Sequence, residues 1–273
     1  MNILVLVKPV PDPEKYTEIK IDQETKCLVR EGVETVVNPT DKNALEEGLR
    51  IRDNCIKAGE ASKVTVLAMA LESAGDKLLS CLAMGADKAI LLSDRKFAGS
   101  DTYATSYILA QAIRYICSEE GEDEFDLILA GNESADGGTA HVPVQVAEWL
   151  NIPYLNRICQ VEYSQGQIEA TKKTETQLIQ FEGERPALLS LTRDINEPRH
   201  INAMGIVKAR KKPMRVITNE ELNLEDDRIG LKGSTTKPGD LLSQELSRGG
   251  KALDGETAED AAKAIMSLVE QAR

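Results

Sequence analysis

The segment AGNESADGGTAHV, residues 130–142, concentrates the residue types that hold phosphate. Gly131, Gly137 and Gly138 permit positive φ and close backbone approach. Asp136, Thr139 and the N–H groups of a helix that follows can then bind phosphate or ribose. The same pattern also serves an ordinary strand-to-helix turn. Asp12, Asn38, Asp41 and Asp101 are further small polar residues expected at the same sheet edge, where such residues are more often cap or turn formers than ligands. No G-x-G-x-x-G follows the first apolar run and no G-x-x-x-x-G-K-[ST] occurs, so the common dinucleotide and P-loop assignments fail. His141 and His200 are the only two histidines, too few for a multi-His metal site or a His-centred triad. The five cysteines are widely spaced, unlike a zinc ribbon or a redox dithiol. No catalytic side chain and no metal site is expected; the chemistry would come from a bound cofactor.

The elements that must position this loop are legible in the periodicity. Ile3 to Val7, Val64 to Met69, Ala89 to Leu92 and Phe125 to Ala130 are short apolar runs of the kind buried on both faces of a parallel sheet. Helical patterns separate or follow them: Ala44 to Ile56, Leu78 to Met84, Tyr107 to Ile116 and Val142 to Leu150. Thr40 or Asp41, Ser73, and Ser100 or Asp101 are the expected N-caps of the first three. This order predicts an α/β fold: an open, mostly parallel nucleotide-binding sheet covered by helices, with ligands at the carboxyl ends of the strands. After residue 150, Cys159 to Tyr163, Gln167 to Thr171 and Gln177 to Phe181 alternate as an antiparallel extension, with a turn at Ser164-Gln165-Gly166. Ala187 to Thr192 and Met214 to Thr218 read as further strands. Residues 1–229 form the expected α/β domain and 230–273 a C-terminal arm ending in an amphipathic helix from about Thr257 to Ala272.

Composition narrows the partners. With 33 Lys+Arg against 45 Asp+Glu the net charge is −12, which argues against a nucleic-acid partner. No apolar run approaches the roughly 20 residues of a membrane helix, so no membrane span is expected. The start MNILVLVKPVP lacks a basic leader and a cleavage site, and with scattered cysteines it suggests a reducing cytoplasm. Lys208, Arg210, Lys211, Lys212 and Arg215 make a basic cluster that reads as a solvated face or, with Arg193 and Arg199, as a surface for an acidic partner or a cofactor phosphate.

The run RDINEPRHINAMGIVKARKKPMRVIT, residues 193–218, closely resembles the signature of the small, β-type subunit of electron transfer flavoproteins. VLVKPVPD, VVNPTDKNALEEGLRI, LAMGADKAILLSD, SDTYATSYILAQAI and AGNESADGGTAHV resemble that family in its order and spacing. The resemblance covers nearly the whole chain, and Asn196-Glu197-Pro198-Arg199 is its most diagnostic piece. It implies an adenine-nucleotide-binding domain paired with a large, flavin-carrying α subunit. In members that only shuttle electrons the small subunit holds AMP; in bifurcating members it holds FAD reduced by NADH. The run Asp136-Gly137-Gly138-Thr139-Ala140-His141-Val142 resembles the bifurcating pattern Asp-Gly-Asp-Thr-Ala-Gln-Val, departing from it at Gly138 and His141.

What the resemblance implies is therefore a subunit that binds FAD, with AMP as the alternative. It would take electrons from NADH and pass them to a flavin dehydrogenase of the acyl-CoA or 2-hydroxy-acid type and to a low-potential acceptor such as ferredoxin. The implied cofactor residues are Lys8, Val10, Asp12, Asn38, Asp41, Ala68, Met69, Asp101, Thr102, Ala130, Asn132, Asp136, Gly137, Gly138, Thr139, Ala140, His141 and Val142. His141 is equally a surface helix residue. The implied partner loop spans about 193–205, with Ile195 as an exposed apolar anchor beside Asn196, Glu197, Pro198 and Arg199.

Overall fold

The structure, a computed structural model, describes residues 1–18, 20–21, 28–29, 34–121, 124–164, 166–237 and 257–271. In chain order the strands are β1 (Asn2–Leu6), β2 (Pro9–Pro11), β3 (Lys20–Ile21), β4 (Leu28–Val29), β5 (Thr35–Val37), β6 (Lys63–Met69), β7 (Lys88–Leu92), β8 (Leu127–Gly131), β9 (Tyr154–Ser164), β10 (Gln167–Lys173), β11 (Leu178–Glu184), β12 (Ala187–Leu191) and β13 (Met214–Ile217). The helices are α1 (Pro39–Lys57), α2 (Gly75–Met84), α3 (Thr102–Glu120), α4 (His141–Leu150), α5 (Ala203–Ala209), α6 (Asn219–Leu222), α7 (Gly230–Gly233) and α8 (Ala258–Gln271). Among the described residues a nine-stranded sheet runs in the order β11-β10-β9-β12-β8-β1-β6-β7-β13. From β9 to β13 every pairing is parallel; β10 and β11 add the antiparallel edge.

Side-chain alternation along β1 divides the interior. Ile3, Val5 and Val7 pack with Leu45 and Leu49 of α1 and Leu78 and Leu82 of α2, while Leu4 and Leu6 pack with Ile108, Ile113 and Ile116 of α3 and Val146 of α4. A strand buried on both faces must be apolar at every position, which is why NILVL carries no polar alternation after Asn2.

Topology creates one crevice. From β1 the chain proceeds through α1 to β6 on one side; after β7 it crosses by α3 to β8 on the other side of β1. Helices α1 and α3 thus leave toward opposite faces, opening a gap above the carboxyl ends of β1 and β8, the place where ligands sit in such sheets.

Several elements differ from the sequence reading. β12 inserts in parallel between β8 and β9, so the parallel sheet continues past residue 150. Sequence alternation cannot report which strand lies next to which. β2 and β5 pair as a small antiparallel sheet that returns the chain to α1. Pro39 at the first position of α1 fixes its start, making Asn38 the cap rather than Thr40 or Asp41. α2 begins at Gly75 behind a short 3-10 turn, Glu72–Ala74, so Ser73 is not its cap; Asp101 does cap α3, accepting the Ala104 N–H at 3.0 Å.

Met1–Gly239 forms one compact unit, and α8 belongs to a second that starts at Asp240. Residues 230–237 lie within the first unit. The Ser100 hydroxyl accepts the Gly230 N–H at 3.1 Å, and the Ser234 hydroxyl accepts the Asp101 N–H at 2.8 Å. Taken alone, α8 is amphipathic and exposes Ile265, Met266, Leu268 and Val269.

Candidate functional site

The crevice contains a cavity of about 460 Å³. Leu6, Leu67 and Leu109 give it an apolar lining, and the ends of β1 and β8 supply Val7, Lys8, Ala130 and Gly131. Asn38 and Asp41 at the start of α1, Gly99 to Thr102 at the start of α3, and residues 133, 134, 136, 137 and 139–143 complete the wall. Three helices thus direct their N-termini to one space, each with first-turn N–H groups that have no partner within the helix.

Asp41 organises this region. Its carboxylate is buried and accepts the Lys8 N–H at 2.8 Å, the Gly131 N–H at 3.1 Å and Asn38 Nδ2 at 3.0 Å. It therefore bolts α1 to the ends of both central strands. Burial pushes its carboxyl up from 3.8 to about 7, against the opposing effect of these donors and of the Lys8 charge. Gly131 has no room for a side chain: a Cβ there would enter the space held by the Asp41 carboxylate and the Thr40 hydroxyl.

Asn38 shapes the glycine-rich loop. Its Nδ2 donates to the Glu133 carbonyl at 2.9 Å, its Oδ1 accepts the Ala135 N–H at 3.1 Å, and Thr40 donates to the same Glu133 carbonyl at 2.8 Å. Gly138 closes the turn by donating to the Ser134 carbonyl at 2.8 Å with φ of 60°, and no atom lies within 4 Å of a built Cβ. Its need is conformational, not spatial. Gly137 has no positive φ, and a Cβ there would come within 3.2 Å of Ser134 Oγ. Ala140, also left-handed at φ 55°, precedes α4 with no side chain to cap it, leaving the first turn of α4 open at the cavity wall. That is an arrangement for a phosphate or carboxylate.

Charges at the mouth are already engaged. Lys8 Nζ meets Asp136 Oδ1 at 2.7 Å and Ser134 Oγ at 3.3 Å. Asp101 caps α3 through one oxygen, while the other accepts the Thr236 N–H at 2.8 Å and the Thr235 and Thr236 hydroxyls at 3.0 Å. Burial opposes its ionisation, but these donors together with the Ala104 N–H hold it down at about 2. Cys81 lies deep in the core; burial, reinforced by Asp41, pushes its thiol up to about 12, so it is no nucleophile.

Of the residues expected at a cofactor, Lys8, Asn38, Asp41, Met69, Asp101, Thr102, Ala130, Asp136, Gly137, Thr139, Ala140, His141 and Val142 line the cavity. Val10, Asp12, Ala68, Asn132 and Gly138 do not. Val10 and Ala68 are buried, Ala68 within the core under α1 and α2. Asp12 accepts the Glu14 N–H at 3.0 Å as a turn former, and Asn132 N–H is spent on the Leu191 carbonyl. Leu6, Leu67, Leu109, Thr105 and Ser134 line the space without having been singled out. The first three read as core in the sequence because the cavity floor is continuous with the core.

The 193–199 loop is locked rather than free. Ile195, the expected partner anchor, is half-buried and packs against the core. The exposed apolar residues come later: Ile201, Met204, Ile206 and Val207, on and just before α5. The basic cluster also divides. Lys212 donates to the Leu82, Gly85 and Ala86 carbonyls at the end of α2, and Arg215 pairs with Glu119 and Glu221, while Lys208, Arg210 and Lys211 are exposed. No helix is long and apolar enough to cross a membrane, and no cluster of three metal-ligating side chains occurs, both among the described residues.

Comparison with known proteins agrees with this architecture. A family model described as the electron transfer flavoprotein domain matches residues 25–222. The chain is 40% identical to the electron transfer flavoprotein subunit beta of Thermoanaerobacterium thermosaccharolyticum over 99% of this chain and 97% of that one. It is 38% identical to the corresponding subunit of Megasphaera elsdenii, over 98% and 96% of the two chains. It is also 35% identical to the Caffeyl-CoA reductase-Etf complex subunit CarD of Acetobacterium woodii, over 99% and 98%. With a family model over most of the chain and similarity of this degree from end to end, the chain belongs to the electron transfer flavoprotein family, as a β subunit.

Proposed function

We propose that the cavity holds the adenylate and pyrophosphate part of FAD, and that the chain works as half of a heterodimer with a flavin-carrying α subunit. The observation that carries this reading is the meeting of the open α4 N-terminus with the buried Asp41 clamp at one crevice. Backbone N–H groups of α4 would take the pyrophosphate, with Thr139 as a side-chain donor. Asp136, held by Lys8, would orient a ribose hydroxyl instead of repelling phosphate. Bound FAD supplies hydride and single-electron chemistry; this chain supplies placement and exclusion of water. The bifurcating use, with NADH as donor and both a flavin dehydrogenase and a low-potential acceptor such as ferredoxin as recipients, is supported by the Asp136–Val142 run and by similarity to a subunit of a caffeyl-CoA reductase complex.

A second reading is favoured by the cavity's size. AMP would fit within the cavity of about 460 Å³, whereas a dinucleotide would extend beyond its mouth. Extraction of the purified heterodimer followed by nucleotide chromatography separates the two. Two FAD per heterodimer is the expected result; one AMP with one FAD overturns bifurcation and leaves the family membership standing.

Electron delivery would occur at the surface that follows the locked loop, where Ile201, Met204 and Val207 are exposed beside Lys208 and Arg210. An apolar centre with a charged rim is the pattern of a docking patch. Met204→Asp should raise the KM for the partner dehydrogenase and leave cofactor content unchanged. An unchanged KM removes this patch from the dehydrogenase interface.

A further inference from the structure

Helix α1 begins at the cavity, yet its next turns serve a different segment. Asn43, Glu46 and Glu47 are all buried, an unusual state for two carboxylates one residue apart. Their partners lie in residues 193–199. Asn43 Nδ2 donates to the Asn196 carbonyl at 2.8 Å and to the Arg193 carbonyl at 3.3 Å. Asn196 Nδ2 answers by donating to the Asn43 carbonyl at 3.0 Å and to Glu47 Oε2 at 2.9 Å. Glu46 takes Arg199 three ways: its Oε2 accepts the Arg199 N–H at 3.1 Å and Nε at 2.8 Å, and its Oε1 accepts Nη2 at 3.1 Å. Asp53, two turns further along α1, accepts both Arg199 Nη atoms at 3.3 Å.

The loop itself holds only a short 3-10 turn, Arg193–Ile195, and supplies little of its own order. Its shape comes from directional bonds to one rigid helix, and a fork–fork carboxylate–guanidinium pair fixes orientation as well as distance. A solvated salt bridge would not need a buried carboxylate or an asparagine that bonds two carbonyls of the same loop. The exposed residues Ile201 and Met204 follow directly from this fixed point.

We propose that Asn43 and Glu46 are positioning residues for partner docking: they hold 193–199 so that the apolar surface from Ile201 to Val207 meets the dehydrogenase already ordered. This rests on the reading of that surface as the docking patch. Its consequence is specific. Releasing the loop adds an ordering cost to association without touching the cavity, so the affinity for the partner falls while turnover at saturation does not.

The test uses the purified, cofactor-loaded heterodimer and its partner dehydrogenase. Asn43→Ala and Glu46→Ala are expected to raise the KM for the dehydrogenase on the order of tenfold, the loss from re-ordering a few side chains on binding. Saturated kcat, flavin-to-protein ratio and visible spectrum should stay at wild-type values, and hydrogen exchange of 193–199 should accelerate. Glu46→Gln, which keeps the shape and one acceptor oxygen but loses the charge, should lie between; it also stands in if Glu46→Ala does not fold. Arg199→Ala added to Glu46→Ala should cost less than the sum of the two. Met204→Asp runs alongside. If Met204→Asp raises KM while Asn43→Ala and Glu46→Gln leave it unchanged, the positioning role is wrong and the docking patch stands. If Met204→Asp leaves KM unchanged, the docking reading falls and the positioning role falls with it. Loss of flavin in the Asn43 or Glu46 variants places those residues in support of the cofactor site instead.

Discussion

Asp41 and Gly131 share one space: the carboxylate accepts the Gly131 N–H at 3.1 Å at a point that any Cβ on residue 131 would occupy. One acid and one missing side chain hold the first helix against the carboxyl ends of the two central strands. Everything at the cavity is referenced to that contact.

Gly131→Ala should therefore destabilise the fold by about 1–3 kcal/mol or more, the range for overpacking a fixed site. Urea unfolding measures it. Gly138→Ala gives the contrast: with open space around it, only the left-handed backbone is penalised, at roughly 1–2 kcal/mol. If the two substitutions cost the same, the Asp41 contact is not rigid.

Stability should carry a pH signature from Asp41. The folded-state pKa is raised from 3.8 to about 7, chiefly by burial, so the folded chain binds a proton that the unfolded chain releases. The resulting stabilisation is complete below about pH 4 and falls as pH rises. It is gone above about pH 7, an overall change of the order of 4 kcal/mol. Relative to Asp41→Asn, the wild type should lose advantage between about pH 4 and pH 7. A difference that is flat across that interval means Asp41 ionises normally.

Asp101 has the opposite sign. Held at about 2, it stabilises the folded chain above its ordinary range and loses that contribution only as pH falls toward 2. Asp101→Ala removes the cap of α3, about 1 kcal/mol, and frees the Thr235 and Thr236 contacts. Limited proteolysis after residue 234 should become faster in this variant; unchanged cutting shows that Ser234 alone suffices.

The amphipathic α8 exposes Ile265, Met266, Leu268 and Val269 within its own unit, and we expect that face to be covered by the α subunit. Truncation after Lys237, which spares the segment bound to Ser100 and Asp101, should lower heterodimer yield. Full copurification of the truncated chain shows that α8 is no assembly element.

The sequence by itself determined the alternation of apolar runs and helical patterns, because burial on both faces of a sheet demands an apolar side chain at nearly every position of β1, β6, β7 and β8. It also located the glycine-rich loop and the Asn196–Arg199 run, since both rest on residue types placed side by side in the chain. Tertiary structure decided the rest. That β12 inserts between β8 and β9 depends on contacts between residues far apart in sequence. The roles of the glycines divide for the same reason: Gly131 is required by Asp41, 90 residues away, and Gly138 by its own φ. Charged residues flank Ile195 in the chain, yet buried Asn43 and Glu46 hold the loop on α1 and Ile195 is half-buried against the core, with Met204 exposed. A local pattern reports what each residue prefers; only the fold reports which distant group satisfies it.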